Sequence, residues 1–127
     1  MKLIHTDKAP AAVGPYSQAV VSGSTVYTSG QIAINPATGT VDAQDIAGQT
    51  EQIMQNLAAV LEAAGASFAN VVKTTCFLAD MGDFAAFNAV YGKYFTAPAL
   101  PARSCVAVKA LPKGVLAEVE VIAELEA

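Results

Sequence analysis

Two helical segments interrupt a chain that otherwise shows the patterns of β-strands, and this arrangement limits the possible folds more than any other feature. From Asp45 onward, apolar residues recur at helical spacing as far as Gly65, a residue type that often follows a helix C-terminus. A second helix is predicted over residues 80–95. Its aromatic residues form one stripe, which we interpret as core packing: Phe84, Phe87, Tyr91, Tyr94 and Phe95.

The remaining periodic segments predict strands. After an extended start, they cover residues 17–21, 25–32, 71–79, 102–109 and 116–125, with a tight turn at 22–24 and a surface loop at 35–40. Right-handed crossovers place two helices that follow strands on the same side of a sheet. The sequence therefore predicts an α+β fold in one domain, 1–127, with a six-stranded mixed sheet and two helices on one of its faces.

The other face of this sheet has no predicted cover. Alternation in the last strand puts Val119, Val121, Ala123 and Leu125 on one face, and Glu118, Glu120, Ile122 and Glu124 on the other. An apolar sheet covered by only two helices is expected to pack against copies of itself, because large exposed apolar patches usually mark interfaces. A homo-oligomer is predicted.

Composition argues against several classes of function. The net charge is −4, and the seven basic residues are spread singly, so general nucleic-acid binding is not expected. One histidine, His5, and two distant cysteines offer no zinc-ligand spacing, and no glycine-rich phosphate loop occurs, so neither a metal nor a nucleotide cofactor is predicted. No secretory signal or membrane-spanning apolar run is visible, which makes the cytoplasm the expected location.

The only arginine of the chain, Arg103, is the first candidate for a ligand contact. Its planar guanidinium can bind a carboxylate with two parallel hydrogen bonds. The alternative is a surface or subunit-contact ion pair with one of the eleven acidic residues. Strand periodicity puts Arg103 and Cys105 on the same face. If the last two strands pair with each other, Glu118 lies within reach of the same pocket, but spacing alone does not select among Glu118, Glu120 and Glu124.

Five ordered motifs resemble the signatures of one protein family over essentially the whole chain. They are GPYSQA at 14–19, YTSGQI at 27–32, VKTTCF at 72–77, FNAVY at 87–91 and PARSCV at 101–106. On these motifs the chain resembles the RidA (YjgF) family of reactive-intermediate deaminases. The resemblance implies a chorismate-mutase-like fold and a homotrimer, in which the sheets pack together inside, the helices lie outside, and three clefts form between subunits.

The resemblance also implies an activity and a set of partners. The expected reaction is hydrolysis of enamines and imines, such as 2-aminoacrylate, 2-iminopropanoate and 2-iminobutanoate, to 2-keto acids and ammonia. These intermediates are released by pyridoxal-phosphate enzymes, and their hydrolysis protects amino-acid metabolism. No external cofactor is expected for the hydrolysis itself.

Roles for individual residues follow from the matching motif positions. The resemblance implies that Arg103 anchors the substrate carboxylate and that Glu118 activates water and returns a proton to the departing amine. Tyr16 would close the cleft, while Ser29, Gly30 and Cys105 would bind substrate, the last two through backbone N–H groups. Covalent catalysis by Cys105 is the lesser alternative, because its thiol has only Arg103 beside it for activation. Cys76 is expected in the core, and Asn88 is expected to satisfy backbone groups between helix and sheet.

Two other classes of function stay open at this point. Members of the family have been labelled endoribonucleases or translation inhibitors, although this chain lacks a histidine and lysine constellation for cleaving phosphodiesters. A non-enzymatic sensor of small carboxylates such as 2-ketobutyrate would use Arg103 in the same way. A chaperone that uses an apolar patch is a weaker third option.

Overall fold

The structure, a computed structural model, describes residues 1–126. Two α-helices and eight strands follow the order β1 Lys2–Ile4, β2 Ala19–Ser22, β3 Thr25–Thr28, β4 Ile34–Asn35, β5 Thr40–Val41, α1 Ile46–Ala63, β6 Val71–Leu78, α2 Phe84–Tyr94, β7 Ala102–Ala107 and β8 Ala117–Glu124. Six strands form one mixed sheet in the order β1-β2-β3-β8-β6-β7, in which only β6 and β7 run parallel. The predicted α+β fold with two helices and a six-stranded mixed sheet is confirmed.

Helix α1 begins and ends where its sequence signals predict. The Asp45 carboxylate accepts a hydrogen bond from the Gly48 N–H at 3.1 Å, which caps the first turn. Gly65 follows the helix with a φ of +85°, a conformation that glycine adopts without the steric cost of a side chain. The inward face of α1 is fully buried and consists of Ile53, Met54, Leu57, Val60 and Leu61.

Helix α2 is shorter than predicted, because its first turn is a separate 3₁₀ turn at Met81–Asp83. The aromatic stripe packs as core, with Phe87, Tyr91 and Phe95 buried. The rings of Tyr91 and Phe95 stack at 4.5 Å between centroids. The interpretation of the stripe as core packing is thus confirmed for its three buried members, while Phe84 and Tyr94 are only partly buried.

The two faces of the sheet differ as the alternation in the last strand predicts. Ala117, Val119, Val121 and Ala123 of β8 are buried under the helices, whereas Glu118 and Ile122 between them are partly exposed. The face away from the helices, called the open face below, also exposes Leu3 and Tyr27. Packing of this face against further copies of the chain stays a prediction.

The sheet order contradicts one prediction, the pairing of the last two strands. Strand β6 lies between β7 and β8 and pairs with both, in parallel with β7 and antiparallel with β8. The chain after β7 therefore crosses β6 before it enters the sheet again. A turn at Pro112–Gly114 lies on this crossing and does not close a hairpin.

One further strand differs from the predicted pattern. The strand predicted over 25–32 ends at Thr28, and only Gln31 continues it, as an isolated bridge to Val119. The predicted surface loop at 35–40 forms the turn of a small hairpin, and its end residues Asn35 and Thr40 belong to the short strands β4 and β5. Within residues 1–126, no helix is both long enough and apolar enough to cross a membrane.

Candidate functional site

A cleft of about 590 Å³ opens where β3 ends beside β8. Its walls come from the loop before β2, the segment after β3, the turn after β7, and the first part of β8. The lining residues include four of the predicted site residues: Tyr16, Ser29, Gly30 and Glu118. We call this group the acid half-site.

Glu118 provides the only carboxylate among the residues that line this cleft. Burial raises the pKa of this carboxyl above its ordinary value of 4.5, and the negative charge of Glu120 raises it further. The carboxylate lies against Gly30, where a Cβ would be 2.1 Å from Oε2 of Glu118. Glycine at this position therefore leaves the space that the carboxylate occupies.

Hydrogen bonds to the side chain of a buried residue hold the loop that forms one wall of the cleft. The side chain of Gln18 is buried and accepts from the Thr6 N–H at 2.7 Å through Oε1. Its Nε2 donates to the carbonyls of Thr6 and Pro10 at 3.0 and 2.8 Å. These three bonds fix the N-terminal loop against β2 and so fix the wall that carries Tyr16.

The two remaining residues of the acid half-site have different roles. The Ser29 hydroxyl donates to the Ser17 carbonyl at 2.6 Å, which ties the end of β3 to the loop before β2. Tyr16 lies at the rim with about half of its surface exposed, 53%. Ser29 therefore fixes the cleft wall, and Tyr16 is free to contact a ligand.

Arg103 lies elsewhere, in contact with helix α2. Its Nη1 donates to Oδ1 of Asn88 at 2.6 Å. Its guanidinium carbon lies 4.7 Å from the ring centroid of Tyr91 and 5.4 Å from that of Phe84, distances at which a cation is attracted to an aromatic ring. Among residues 1–126, Arg103 forms no ion pair with a carboxylate.

Cys105 lies next to Arg103 along the same face of β7, as the periodicity predicts. It pairs in register with Cys76 of β6, which is fully buried, so the prediction that Cys76 lies in the core is confirmed. Burial raises the pKa of the Cys105 thiol above its ordinary value of 9.0, and the charge of Arg103 opposes that rise. Burial raises the pKa of Cys76 to about 12. Neither thiol therefore has the lowered pKa that is typical of a nucleophilic cysteine.

The structure separates the predicted site residues into two groups. Arg103 and Cys105 project from the helix-covered face at the edge strand β7, whereas Glu118 projects from the open face of β8. The expectation that Glu118 and Arg103 share one pocket of the same chain is therefore wrong, because β6 separates their strands. We call Arg103 and Cys105 the anchor half-site.

Sequence reasoning missed some of the residues that shape these half-sites. Asn88 binds Arg103 instead of the backbone groups expected for it. Gln18 and Lys113 both line the cleft, although the sequence predicts no role for either. Gln18 lies within the motif at 14–19, and Lys113 lies within the turn at Pro112–Gly114. The position of Lys113 is signalled only by the adjacent Pro112 and Gly114, between which it adopts a left-handed backbone with φ of +57°.

The fold and the two half-sites define a small α+β protein. It has a cleft beside its sheet that is lined by the Glu118 carboxylate, and an arginine at the sheet edge that forms no ion pair within residues 1–126. The model of the family described as Endoribonuclease L-PSP matches residues 6–125. The chain belongs to this family, which is the RidA/YjgF family that the five motifs resemble.

Individual relatives agree with this assignment. The chain is 51% identical over 124 residues to the 2-iminobutanoate/2-iminopropanoate deaminase of Escherichia coli, covering 96% of each protein. The crystal structure of RidA from the Antarctic bacterium Psychrobacter sp. PAMC 21119 has a TM-score of 0.94 at 46% identity and covers 98% of both chains. That of E. coli TdcF with bound serine has a TM-score of 0.93 at 44% identity, covering 99% of this chain and 100% of the other.

Proposed function

We propose that the protein hydrolyses 2-iminobutanoate and 2-iminopropanoate, with its enamine form 2-aminoacrylate, to 2-keto acids and ammonia. The main support for this proposal is the half-buried Glu118 carboxylate, which lines the cleft beside Gly30 and whose pKa is raised. Two relatives that are named for this reaction are each 51% identical to the chain, and they support the same substrate class.

The chemistry needs both half-sites. The substrate carries a carboxylate, and Arg103 has a guanidinium with no carboxylate partner among the described residues. With its carboxylate bound to Arg103, the substrate would expose its C=N carbon to water. The Glu118 carboxylate would take a proton from the water as the water oxygen bonds to that carbon. The same carboxyl returns that proton to the nitrogen, which gives a carbinolamine. It then takes the hydroxyl proton and delivers it to the nitrogen as the C–N bond breaks, so that ammonia leaves and the 2-keto acid forms. A carboxyl with a raised pKa suits both steps.

The separation of the half-sites supports a complete site that is built from two copies of the chain. Arg103 lies at the free edge of the sheet and Glu118 on the open face, so the edge of one subunit can meet the open face of another. A closed ring of three such contacts makes a homotrimer with one cleft at each contact. Exposed apolar residues on the open face, such as Leu3 and Tyr27, would be covered in this assembly.

The endoribonuclease alternative has less support from the cleft. Of the residues that line it, Lys113 is the only cation and none is a histidine. His5 lies outside the cleft, with a side chain that is 74% exposed and whose Nε2 lies 3.6 Å from Oδ1 of Asp7.

The proposed imine hydrolysis is tested by the decay of 2-iminobutanoate with and without the protein. The imine is generated by a threonine dehydratase and trapped with semicarbazide. No acceleration would contradict it.

Gly30→Ala is expected to lower turnover by roughly tenfold to a hundredfold, because its Cβ would occupy the position of the Glu118 carboxylate and displace it. The measurement is steady-state turnover of 2-iminobutanoate, together with a crystal structure that locates Glu118. Gly92→Ala is the matched control, since a Cβ on Gly92 meets no atom within 4 Å. Full activity of Gly30→Ala would show that the position of the carboxylate does not matter.

The activity should rise with pH through the pKa of Glu118, since the protonated carboxyl cannot accept a proton from water. Because burial and the charge of Glu120 both raise this pKa, the midpoint should lie above 4.5. Glu120→Gln removes the second cause and should move the midpoint of kcat/KM to lower pH. Glu62→Gln, an exposed acid on α1, should leave it in place. A midpoint that does not move in Glu120→Gln would contradict the influence of the Glu120 charge on the pKa of Glu118.

A further inference from the structure

Three residues of helix α2 contact the guanidinium of Arg103. A neutral amide oxygen, Oδ1 of Asn88, accepts from Nη1 at 2.6 Å, and the rings of Tyr91 and Phe84 lie within 4.7 and 5.4 Å of the guanidinium carbon. The guanidinium carries five N–H donors, and one of them donates to Asn88. The remaining donors form no hydrogen bond with residues 1–126 and can bind a ligand at the edge of the sheet.

The contacts of Tyr91 make this arrangement rigid. Its hydroxyl shares a hydrogen bond of 2.8 Å with the hydroxyl of Thr74, a buried residue on β6. Thr74 is also the register partner of Arg103 on β7. The ring beneath the guanidinium is therefore fixed to the strand beside the arginine, and Asn88 fixes the rotation of the guanidinium above that ring.

We infer that Asn88 is a positioning residue that aims the Arg103 fork at the substrate carboxylate while leaving its positive charge uncompensated. An aspartate at this place would accept the same hydrogen bond but would form an ion pair with the arginine. A carboxylate ligand would then compete with that internal carboxylate. The uncharged amide of Asn88 orients the guanidinium without this competition. This explains why the residue that accepts from Arg103 at 2.6 Å is an asparagine and not an aspartate.

This inference rests on the proposed function only in the identity of the ligand, so the test has a readout that does not depend on turnover. Arg103 is the only arginine of the chain, and its Nε–Hε group therefore gives a single, unambiguous arginine signal in a ¹⁵N NMR spectrum. The order parameter of this signal reports whether the fork is held in one orientation. Titration with 2-ketobutyrate, the expected product, reports carboxylate binding.

Two substitutions separate positioning from a merely structural contact. Asn88→Ala should make the Arg103 signal mobile and weaken 2-ketobutyrate binding roughly tenfold, as expected for one lost charge-assisted hydrogen bond. Asn88→Asp should keep the signal ordered but weaken binding by more than Asn88→Ala, about a hundredfold, because it adds a competing charge. A structural role predicts the opposite order, since aspartate keeps the acceptor that alanine removes.

Asn70→Asp is the matched control. Asn70 accepts from the Ser67 N–H through Oδ1 at 2.9 Å, away from Arg103, so the same substitution there should change neither readout. Binding that is stronger in Asn88→Asp than in Asn88→Ala, or an ordered Arg103 signal in Asn88→Ala, would overturn the inference. The wild type could show a rigid Arg103 signal, and the two Asn88 variants could rank in 2-ketobutyrate affinity as predicted, without any turnover of the imine. That result would overturn the proposed function and leave the inference standing.

Discussion

Replacing Glu118 with glutamine is expected to lower the turnover of 2-iminobutanoate by roughly 10²-fold to 10⁴-fold, the usual contribution of a general acid and base. The glutamine side chain has nearly the same shape and fits the space beside Gly30, but it accepts no proton from water. Binding of 2-ketobutyrate should stay within a few-fold of the wild type, because the anchor half-site is untouched. The measurements are kcat for 2-iminobutanoate and the dissociation constant of 2-ketobutyrate, each compared between Glu118→Gln and the wild type.

The control for this variant is on the same strand and the same face. Glu120→Gln makes the same chemical change at an exposed position that does not line the cleft, and should keep most of the activity at neutral pH. If Glu118→Gln also kept it, Glu118 would not be the proton-transfer group. If the wild type bound 2-ketobutyrate without hydrolysing any imine, the protein would be a carboxylate sensor.

Replacing Arg103 with alanine is expected to weaken 2-ketobutyrate binding by roughly 10²-fold to 10⁴-fold. A bidentate arginine–carboxylate contact supplies two charge-assisted hydrogen bonds, and both are lost. Arg103→Lys should lie between alanine and the wild type, because it keeps the charge but loses the planar fork. Calorimetric titration gives the affinities, and KM for the imine should rise in parallel.

Lys109→Ala tests whether charge alone explains the effect. Lys109 follows β7 and is exposed, so its removal changes the net charge by the same amount without touching the anchor half-site. Its affinity for 2-ketobutyrate should match the wild type. Equal losses in Lys109→Ala and Arg103→Ala would show that the ligand is attracted by general electrostatics rather than gripped by Arg103.

The helices and most strands were predictable because their signals are local. Asp45 and Gly65 bracket α1 as capping residues, and the alternation along β8 assigns Val119 and Glu118 to the correct faces. Periodicity also placed Arg103 and Cys105 on one face. These features depend only on residues that are close in sequence.

The arrangement of the site was not predictable from the residues, because it depends on the order of strands in the sheet. Pairing of β7 with β8 was a reasonable expectation for consecutive strands, yet β6 lies between them. The register of these strands places Arg103 and Glu118 on opposite faces of the sheet. The contact of Asn88 with Arg103 joins residues on different elements, 15 positions apart. Periodicity along single elements contains no information on either of these juxtapositions.

A site built from two copies can be tested by mixing subunits that lack different halves of it. Arg103→Ala and Glu118→Gln chains would be co-expressed with different tags, and mixed trimers isolated through both tags. In a closed ring of three, every mixed trimer has one cleft with Arg103 from one subunit and Glu118 from its neighbour, so about a third of wild-type activity should return.

The matching homotrimers, each carrying one of the two substitutions, should stay inactive in the same assay. Recovery in the mixed trimers would establish that each cleft joins the anchor half-site of one subunit to the acid half-site of the next. Mixed trimers as inactive as their parents would contradict the two-copy site and require Arg103 and Glu118 to act within one chain.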